Sequence, residues 1–366
     1  MSLLYQIALS QVHNVGPVYA KTLLSYVGDA ETIFKTPIAK LGKVPGVSEK
    51  RLSAEAFTKA LARAEKELPF IEKHGVDVLF YTDARYPKRL KNCDDSPILL
   101  YSKGNADLNM QRVVSIVGTR NSTDYGKQIC EQLMADLQRY NVLVVSGLAL
   151  GIDVIAHKEC LRQNIPTVGV LGHGLDKFYP APNRATAEKM QQNGGILTEY
   201  LSGTVPNREH FPARNRIVAG MADATIVVEA GIKGGALITA EIANSYNRDV
   251  FAFPGRIGDT YSEGCNFLIR HNKASLLSCI EDFAFSMGWE ENAAAKPVEQ
   301  LSLFTDLTDT ERIVFDAIRA NQSPLAIDEL AIRTRMPMST LAMDLLNMEM
   351  QGVIRSLPGK MYSLTV

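Results

Sequence analysis

The sequence predicts an α/β protein whose main domain is an extended Rossmann-like, doubly wound sheet. Three observations lead to this fold class. Apolar β-branched runs alternate with amphipathic helical stretches from about residue 111 to residue 285, glycine turns precede short helices in the first segment, and a helix-capping motif opens the last one. Continuous apolar strands between helices are typical of a parallel sheet that helices cover on both faces.

We divide the chain into four segments. At 366 residues, of which 46% are apolar, it can bury a full core and hold two or three domains. An N-terminal helical or mixed domain of the helix-hairpin-helix (SAM-like) type covers residues 1–105, and the Rossmann-like domain covers residues 106–285. A linker over residues 286–307 then leads to a C-terminal winged helix over residues 308–366.

Composition excludes several classes of protein. The chain has no run of about eighteen apolar residues and its N-terminus lacks a signal peptide, so we expect a soluble cytoplasmic protein without a membrane partner. The five cysteines are scattered without zinc-site spacing and are expected to be reduced, so we expect neither a metal nor a cofactor. The net charge is -1, so a polyanion would have to bind at a local basic patch.

Two glycine turns mark the first segment. HNVGPVYAKTLL and GKVPGVSEKRL each place a glycine before a short helix, as helix-hairpin-helix units do. Such units bind the DNA backbone when the hairpin amides are free, but small helical domains use the same turn for packing. Packing is the interpretation that we favour.

The middle segment supplies the strands of the predicted sheet. Between them lie amphipathic stretches such as Tyr125–Arg139 and Leu237–Tyr246, which predict helices. Ligands of such sheets bind at the carboxyl ends of the strands. The predicted strands are Val113–Val117, Val142–Val145, Thr167–Leu171, Ile196–Thr198, Thr225–Val228 and Val250–Phe253.

The predicted strand ends are polar and rich in glycine. Gly118-Thr119-Arg120 follows the first strand, Ser146-Gly147 follows the second, and Gly234-Gly235 lies after the fifth. Glycine lets a backbone come close to an anion, and the free amides at a helix start hold phosphate oxygens. These loops predict several phosphate contacts around one rim of the sheet.

The segment FPARNRIVAG, residues 211–220, adds charge and an aromatic ring to that rim. Arg208, Arg214 and Arg216 are close to Phe211 in sequence, and Pro212 suits the first position of a helix. The pattern GxGxxG does not follow the first strand and GxxxxGK[ST] is absent from the chain. A dinucleotide or ATP site therefore has no support.

Phosphate contacts, arginines and aromatic rings together suit a single-stranded nucleic acid, whose bases can stack on exposed side chains. The aromatic candidates are Phe178, Tyr179 and Phe211. A structural alternative is open for the same segment: Phe211, Ile217 and Val218 form core. In that case Arg214 pairs with an acidic neighbour.

A series of motifs resembles a known family. VSIVGTRNSTDYG, SGLALGIDVIAH, GLDKFYPAPN, PNREHFPARNRIVAG, GGALITAEIA, VFAFPG and GCNFLI follow one another between Val114 and Ile269 and are similar to the bacterial DNA-processing family DprA, also called Smf. The resemblance implies an extended Rossmann fold that binds single-stranded DNA, forms a homodimer and loads the recombinase RecA during natural transformation. The family is not known to contain enzymes.

The resemblance also assigns individual residues. Arg120 matches the arginine of the family's GTR turn, and Phe211 matches the aromatic residue before the RNR run. Asn215 and Arg216 match that run, and Arg208 stands where the family usually has lysine, which replaces a point charge with a planar fork. The candidate residues for binding single-stranded DNA are Gly118, Thr119, Arg120, Ser146, Gly147, Arg208, Phe211, Asn215, Arg216, Gly234 and Gly235.

Three consecutive apolar residues form the candidate dimer interface. Phe267, Leu268 and Ile269 follow the last predicted strand, on the side where the family pairs its subunits. Consecutive residues of a helix cannot all face one core, so we expect at least one of them to contact a partner subunit.

No catalytic arrangement competes with this interpretation. HExxH and GxSxG are absent, and His157 is expected to pack or cap. Asp153, Glu199 and Glu229 stand at strand ends, as acid/base candidates or as partners that orient the arginines. The alternative is an enzyme, because the segment 234–241 is distantly similar to the PGGxGTxxE motif of nucleoside-monophosphate phosphoribohydrolases. It lacks the leading proline and the Gly-Thr pair of that motif.

The last two segments carry partner motifs. Gln300–Phe304, QLSLF, matches the pattern by which bacterial proteins bind the sliding clamp, although its apolar residues could instead dock onto the last domain. Thr308–Glu311 is a helix-capping motif, and the helices and hairpin that follow predict a winged helix. Its recognition helix, Ser339–Gln351, has no Lys or Arg and three methionines, which favours protein docking over DNA binding.

Overall fold

The computed structural model describes residues 2–48, 52–289, 307–321 and 323–365. Within them the chain forms two compact units, one up to Leu276 and one from Leu277 onward. Residues 290–306 are not described, so the predicted clamp motif Gln300–Phe304 lies outside the described residues. No described helix is both long and apolar enough to span a lipid bilayer.

Five helices open the first unit. Pro17 begins the second of them directly after Gly16, a position that suits proline because its missing amide has no helical partner. Ser53 caps the fifth by accepting the amide of Ala56, and Gly75 ends it with a φ of 58°. These helices are α1 (Leu3–Ser10), α2 (Pro17–Val27), α3 (Ala30–Lys35), α4 (Ile38–Leu41) and α5 (Ala54–His74).

A nine-stranded sheet forms the centre of the first unit, in the order β1-β2-β6-β5-β4-β3-β7-β8-β9. The strands are β1 (Asp77–Phe80), β2 (Leu99–Gly104), β3 (Val113–Val117), β4 (Leu143–Ser146), β5 (Thr167–Val170), β6 (Gly194–Thr198), β7 (Ala224–Val227), β8 (Asp249–Ala252) and β9 (Ser275–Leu276). In the run β6-β5-β4-β3-β7-β8-β9 every neighbouring pair of strands is parallel. The strands β1 and β2 come from the first segment of the chain, and the pairs β1-β2 and β2-β6 are antiparallel.

Helices cover both faces of this sheet, as a doubly wound fold requires. They are α6 (Lys88–Lys91), α7 (Asp124–Leu137), α8 (Ile152–Arg162), α9 (Arg184–Met190), α10 (His210–Met221), α11 (Gly235–Ser245) and α12 (Glu263–Arg270). The six strands predicted for the middle segment are all present, with ends that differ by at most two residues, and the predicted fold class is confirmed.

Apolar cores on both faces of the sheet hold the layers of the first unit together. Successive strand residues point to opposite faces, so Leu99 and Ile196 belong to one core and their neighbours Leu100 and Leu197 to the other. The first core joins the N-terminal helices to one face of the sheet, and the second packs α10, α11 and α12 on the other face. This packing fixes the strand ends from which the loops emerge.

The second unit contains a winged helix, as predicted. Thr308 accepts the amide of Glu311 while the Glu311 carboxylate accepts the amide of Thr308, which completes the capping box. A three-stranded sheet in the order β10-β12-β11 forms the wing. The elements are α13 (Ile280–Ser286), α14 (Asp309–Arg319), β10 (Leu325–Ala326), α15 (Ile327–Thr334), α16 (Met338–Met350), β11 (Ile354–Leu357) and β12 (Met361–Leu364).

Candidate nucleic-acid interface

A cavity lies at the carboxyl ends of β3, β4 and β5, where loops from four strands converge. Arg120 comes from the loop after β3, Gly147 from the loop after β4, and Phe211 from the start of α10. The structure therefore brings three of the predicted residues together, while what they bind stays a prediction. The other lining residues are Ala149, Leu150, Leu171, Gly172, His173, Tyr179, Pro180 and Arg214.

An aromatic and cationic stack forms one wall of this cavity. The half-buried ring of Phe211 lies 5.8 Å from the ring of Tyr179, measured between centroids, and Tyr179 is 51% exposed. The guanidinium carbon of Arg120 lies 5.6 Å from the Phe211 centroid. A nucleobase could stack on this wall while Arg120 stays within reach of its phosphate.

The start of α10 is held in place by a histidine. His210 stacks on Tyr200 at 4.3 Å between ring centroids, and its Nδ1 lies 3.1 Å from the carbonyl oxygen of Gly172. The helix begins at His210, so Pro212 is its third residue and not its first as predicted. The earlier start places Phe211 in the first helical turn, at the mouth of the cavity.

Arg214 forms the floor of the cavity. Its buried guanidinium donates to the carbonyl oxygens of Gly147 and Val170, and its Nε donates to Oδ1 of Asn215 at 3.1 Å. Burial lowers the pKa of Arg214 to about 10, which leaves it charged at neutral pH, and the nearby Asp153 carboxylate favours that charge. Burial in turn raises the pKa of Asp153, whose Oδ2 accepts the amide of Ala149 at 3.4 Å.

Two predicted residues of the RNR run are engaged inside the protein. Arg216 forms an ion pair with Glu199, and the side chains are only 15% and 16% exposed. Burial raises the pKa of Glu199, and the Arg216 charge opposes that rise. Asn215 accepts from Arg214, as described above. Their geometry supports the orienting role for Glu199, and a DNA-contacting role for Asn215 and Arg216 stays a prediction.

The unpaired arginines of the first unit are few. Among the arginines that the structure describes up to Leu276, Arg120, Arg208, Arg256 and Arg270 make no side-chain hydrogen bond or ion pair. Arg120, Arg208 and Arg256 follow β3, β6 and β8, at the carboxyl edge of the sheet. An exposed guanidinium of this kind can bind a phosphate without first breaking an internal hydrogen bond or ion pair.

The structure corrects one prediction for the loop after β4. Ser146 has no exposed surface and its hydroxyl donates to the carbonyl oxygen of Ile116 at 2.5 Å, so its side chain cannot contact a ligand. The prediction was wrong because the end of β4 is covered by its neighbours.

The predicted glycines and threonine have mainly packing roles around β3 and β4. A Cβ on Gly118 would lie 2.5 Å from Cγ1 of Ile152, and one on Gly147 would lie 2.6 Å from Nη2 of Arg214. Thr119 donates its amide to the Glu229 carbonyl oxygen at 2.6 Å. By contrast, Gly234 caps the start of α11 and a Cβ on Gly235 would meet no atom within 4 Å, so that helix start is open.

The candidate dimer residues divide into one core residue and two partly exposed ones. Leu268 is 0% exposed and belongs to the second core, so assigning it to an interface was wrong: it lies on the face of α12 that packs on the sheet. Phe267 and Ile269 are partly buried, and the Phe267 ring lies 4.2 Å from that of His271. The prediction that Phe267 and Ile269 contact a partner subunit stays a prediction.

Leu150 and His173 are among the lining residues that were not candidates in the sequence. Leu150 is 45% exposed at the mouth, and the buried His173 accompanies it in the lining. Their places in the strand-end motifs SGLALG and LGHG were a usable signal, since both loops end adjacent parallel strands. Leu150 carries neither a charge nor an aromatic ring, so its residue type alone did not indicate binding.

The candidate catalytic side chains have internal partners. His157 is buried with Nδ1 2.7 Å from the Thr167 hydroxyl, and burial lowers its pKa to about 3, so it packs as expected. Glu229 accepts the amide of Thr123 at 3.0 Å. Glu241, the glutamate of the phosphoribohydrolase-like segment, forms a 2.9 Å ion pair with Lys273 and does not line the cavity.

Comparison with known proteins decides the family. A model of the family described as DNA recombination-mediator protein A matches residues 77–288. The chain belongs to this family. A DprA winged helix domain model matches residues 297–360, and the chain is 33% identical to Protein Smf of Synechocystis sp. over 98% of both chains. As a family member it is a DNA-processing protein that acts as a recombination mediator.

Two solved structures of family members share the fold. DNA processing protein A from Streptococcus pneumoniae is 32% identical with a TM-score of 0.65, and the match covers 77% of this chain and 96% of that one. DNA processing protein A from Helicobacter pylori, described for its single-stranded DNA binding mode, is 32% identical with a TM-score of 0.52. That match covers 57% of this chain and 93% of the other.

Proposed function

We propose that this chain binds single-stranded DNA at the carboxyl edge of its sheet, protects incoming strands and loads the recombinase RecA during natural transformation. The observation that carries the proposal is the contact of Arg120 with the ring of Phe211 at the mouth of a cavity, with Arg208 unpaired on the loop that leads into Phe211. The ring supplies a surface for a base and the two guanidiniums supply charge for the backbone.

A relative supports this choice of ligand. DNA processing protein A from Helicobacter pylori is described as binding single-stranded DNA, and it is 32% identical to this chain. The internal contacts of Glu241, Glu229 and His157 give no support to the phosphoribohydrolase alternative. We therefore infer that the protein acts by binding and not by catalysis.

The assembly is proposed to be a homodimer. Phe267 and Ile269 leave part of their surface open on α12, and a two-fold interface would use that patch twice. Two DNA sites in one assembly would bind one long strand with avidity. The variant Ile269→Arg should give a folded monomer that binds long oligonucleotides more weakly than the wild type; dimers of unchanged stability in light scattering would place the interface elsewhere.

Two further partners are proposed from the end of the chain. On α16 the side chains of Met343, Leu346 and Met350 are 61%, 56% and 81% exposed, and the helix has no basic residue, so this face suits an apolar protein partner. Gln300–Phe304 is proposed to bind the sliding clamp. The cytoplasm suits all these partners, and it suits the five cysteines, which are free thiols.

The experiment that tests the proposal compares single- and double-stranded DNA of one sequence in a gel shift. We expect the single strand to bind more tightly, and nucleoside monophosphates to compete poorly because they offer one phosphate and one base. A preference for duplex, or strong competition by mononucleotides, would contradict it. Incubation with nucleoside monophosphates, followed by a search for released base, tests the enzyme alternative.

A further inference from the structure

The loop between β8 and α12, residues 253–262, is tied down on both sides. The Tyr125 hydroxyl donates to the carbonyl oxygen of Pro254 at 2.6 Å. The side-chain amide of Asn266 bonds both the amide and the carbonyl oxygen of Gly255, at 3.1 and 2.9 Å. At the far side, the amide of Ala230 donates to the carbonyl oxygen of Tyr261 at 2.7 Å. Such anchoring holds the loop tip in one place before any ligand arrives.

The tip of this loop presents a cation beside an apolar side chain. Arg256 is exposed and has no side-chain hydrogen bond or ion pair, and Ile257 is 95% exposed. Gly258 turns the chain with a φ of 93°, which a residue with a side chain rarely adopts. An isoleucine with this exposure on an anchored loop leaves its whole side chain available for a partner.

The loop also lies next to the predicted DNA rim. The Asn121 side-chain amide, one residue from Arg120, donates to the Tyr261 hydroxyl at 3.1 Å. Between them, the loop after β7 carries the exposed Lys233, whose ammonium has no partner either. After β3 the chain continues to β4 on one side of the sheet, and after β7 it continues to β8 on the other side. The loops after β3 and β7 therefore flank the point where the strand order reverses. Doubly wound sheets bind ligands in that crevice.

We infer that the single strand continues from the Phe211 cavity across the loops after β7 and β8, where Lys233 and Arg256 bind phosphates and Ile257 packs against a base. This inference rests on the proposed function and extends its site. Three of the four unpaired arginines among the described residues of the first unit lie along this edge, which is the distribution that a polyanion path needs. An apolar protein partner would explain Ile257 but not the unpaired cations beside it.

Two exposed carboxylates lie close to Arg256 in sequence, one on the loop and one at the start of α12. Asp259 and Glu263 follow Arg256, and the amide of Asp259 donates to the Arg256 carbonyl oxygen at 3.3 Å. They oppose a nearby phosphate, so the variant Asp259→Asn should strengthen the binding of long strands while Arg256→Ala weakens it. Opposite responses from neighbouring residues would identify an electrostatic contact and not a folding defect.

The test uses oligothymidines of about six and about thirty nucleotides, since a short strand can occupy the cavity alone. For the long strand, Arg256→Ala should lower the slope of log affinity against log salt by about 0.7, and Ile257→Ser should weaken binding about 5-fold at an unchanged slope. The short strand should bind both variants as it binds the wild type. Arg270→Ala is the matched control, because Arg270 is equally unpaired but ends α12, which returns toward the amino edge before β9.

Each outcome separates the extended path from the cavity itself. If the wild type binds and the variants Arg256→Ala, Ile257→Ser and Asp259→Asn all bind the long strand equally well, the extended path is wrong while the proposed function stands. A wild type that fails to bind either oligonucleotide would overturn both. If Ile257→Ser instead converts an oligomer into a monomer in light scattering, Ile257 belongs to an interface between copies of this chain, and the inference is wrong.

Discussion

The floor and the rim of the cavity use the same residue type in opposite ways. On the floor, Arg214 is buried and donates to two strand-end carbonyl oxygens, and Arg216 behind it is paired with Glu199. On the rim, Arg120 and Arg208 are exposed and have no ion pair. The floor arginines bond to other parts of the protein, whereas the rim arginines have no internal ion pair, and we propose that their charge serves a ligand.

Arginines close together in sequence therefore have different surroundings. Arg214 and Arg216 of the RNR run are engaged inside the protein, whereas Arg208, earlier in the same motif, is exposed. The two regions should respond differently to substitution: the floor in stability, the rim in DNA binding.

The largest effect is expected at the floor. Arg214→Met would leave the carbonyl oxygens of Gly147 and Val170 without donors and Asp153 without its nearby positive charge. Removing one partner from a buried charged network typically costs about 3–5 kcal/mol, so urea unfolding should show a loss of that size. Arg208→Met is the matched control, with an expected change of less than about 0.5 kcal/mol. Equal losses of stability in the two variants would contradict the distinction between the floor and the rim.

The buried His157 should make the free energy of unfolding depend on pH in the acid range. Its pKa falls from 6.5 to about 3 on burial, so the unfolded chain binds the proton first. The stability contributed by neutral His157 is complete above pH 6.5 and is lost as the pH falls toward 3, by at most about 1.4 kcal/mol per pH unit. His157→Gln should flatten this dependence in urea unfolding between pH 6.5 and 4.5. Substitution of the exposed His13 should not.

Phe211 should separate stacking from charge on the rim. Phe211→Ala should weaken the binding of single-stranded DNA by about 1–3 kcal/mol while the salt slope stays the same, because stacking releases no counterions. Fluorescence anisotropy at several salt concentrations measures both quantities. A variant that melts much earlier, yet binds normally when folded, would show that Phe211 is a core residue.

The rim arginines should affect the salt dependence more than the stability. Arg120→Ala and Arg208→Ala should each lower the salt slope by about 0.7 and change the free energy of unfolding by less than about 0.5 kcal/mol. Unchanged affinity and slope in both variants would remove the rim from the binding model.

The smallest effect on DNA binding is expected from the winged helix. Met343→Ser changes an exposed, uncharged position of α16, so affinity for single-stranded DNA should stay within about 2-fold of the wild type. A large loss in the same anisotropy assay would show that α16 takes part in DNA binding, against the proposal that it docks a protein.

The sequence by itself determined the layers of the fold. Uninterrupted apolar runs such as Val113–Val117 are typical of a sheet covered on both faces, and they predicted the six central strands. The residue types of Thr308–Glu311 predicted the capping box. The sequence also placed Arg120 and Gly147 directly after strands and Phe211 at the start of the helix that follows β6, and parallel strands bring their carboxyl ends to one edge.

Which residues at that edge are exposed to a ligand depends on the tertiary structure. Sequence spacing does not show that Ser146 bonds Ile116, that Leu268 faces the sheet, or that Arg216 meets Glu199. Each of these depends on a partner from another element, and burial follows from long-range packing that no local pattern encodes. For the same reason, only the structure shows that Ile257 is exposed and that Arg256 is unpaired, because both properties depend on every neighbour in space.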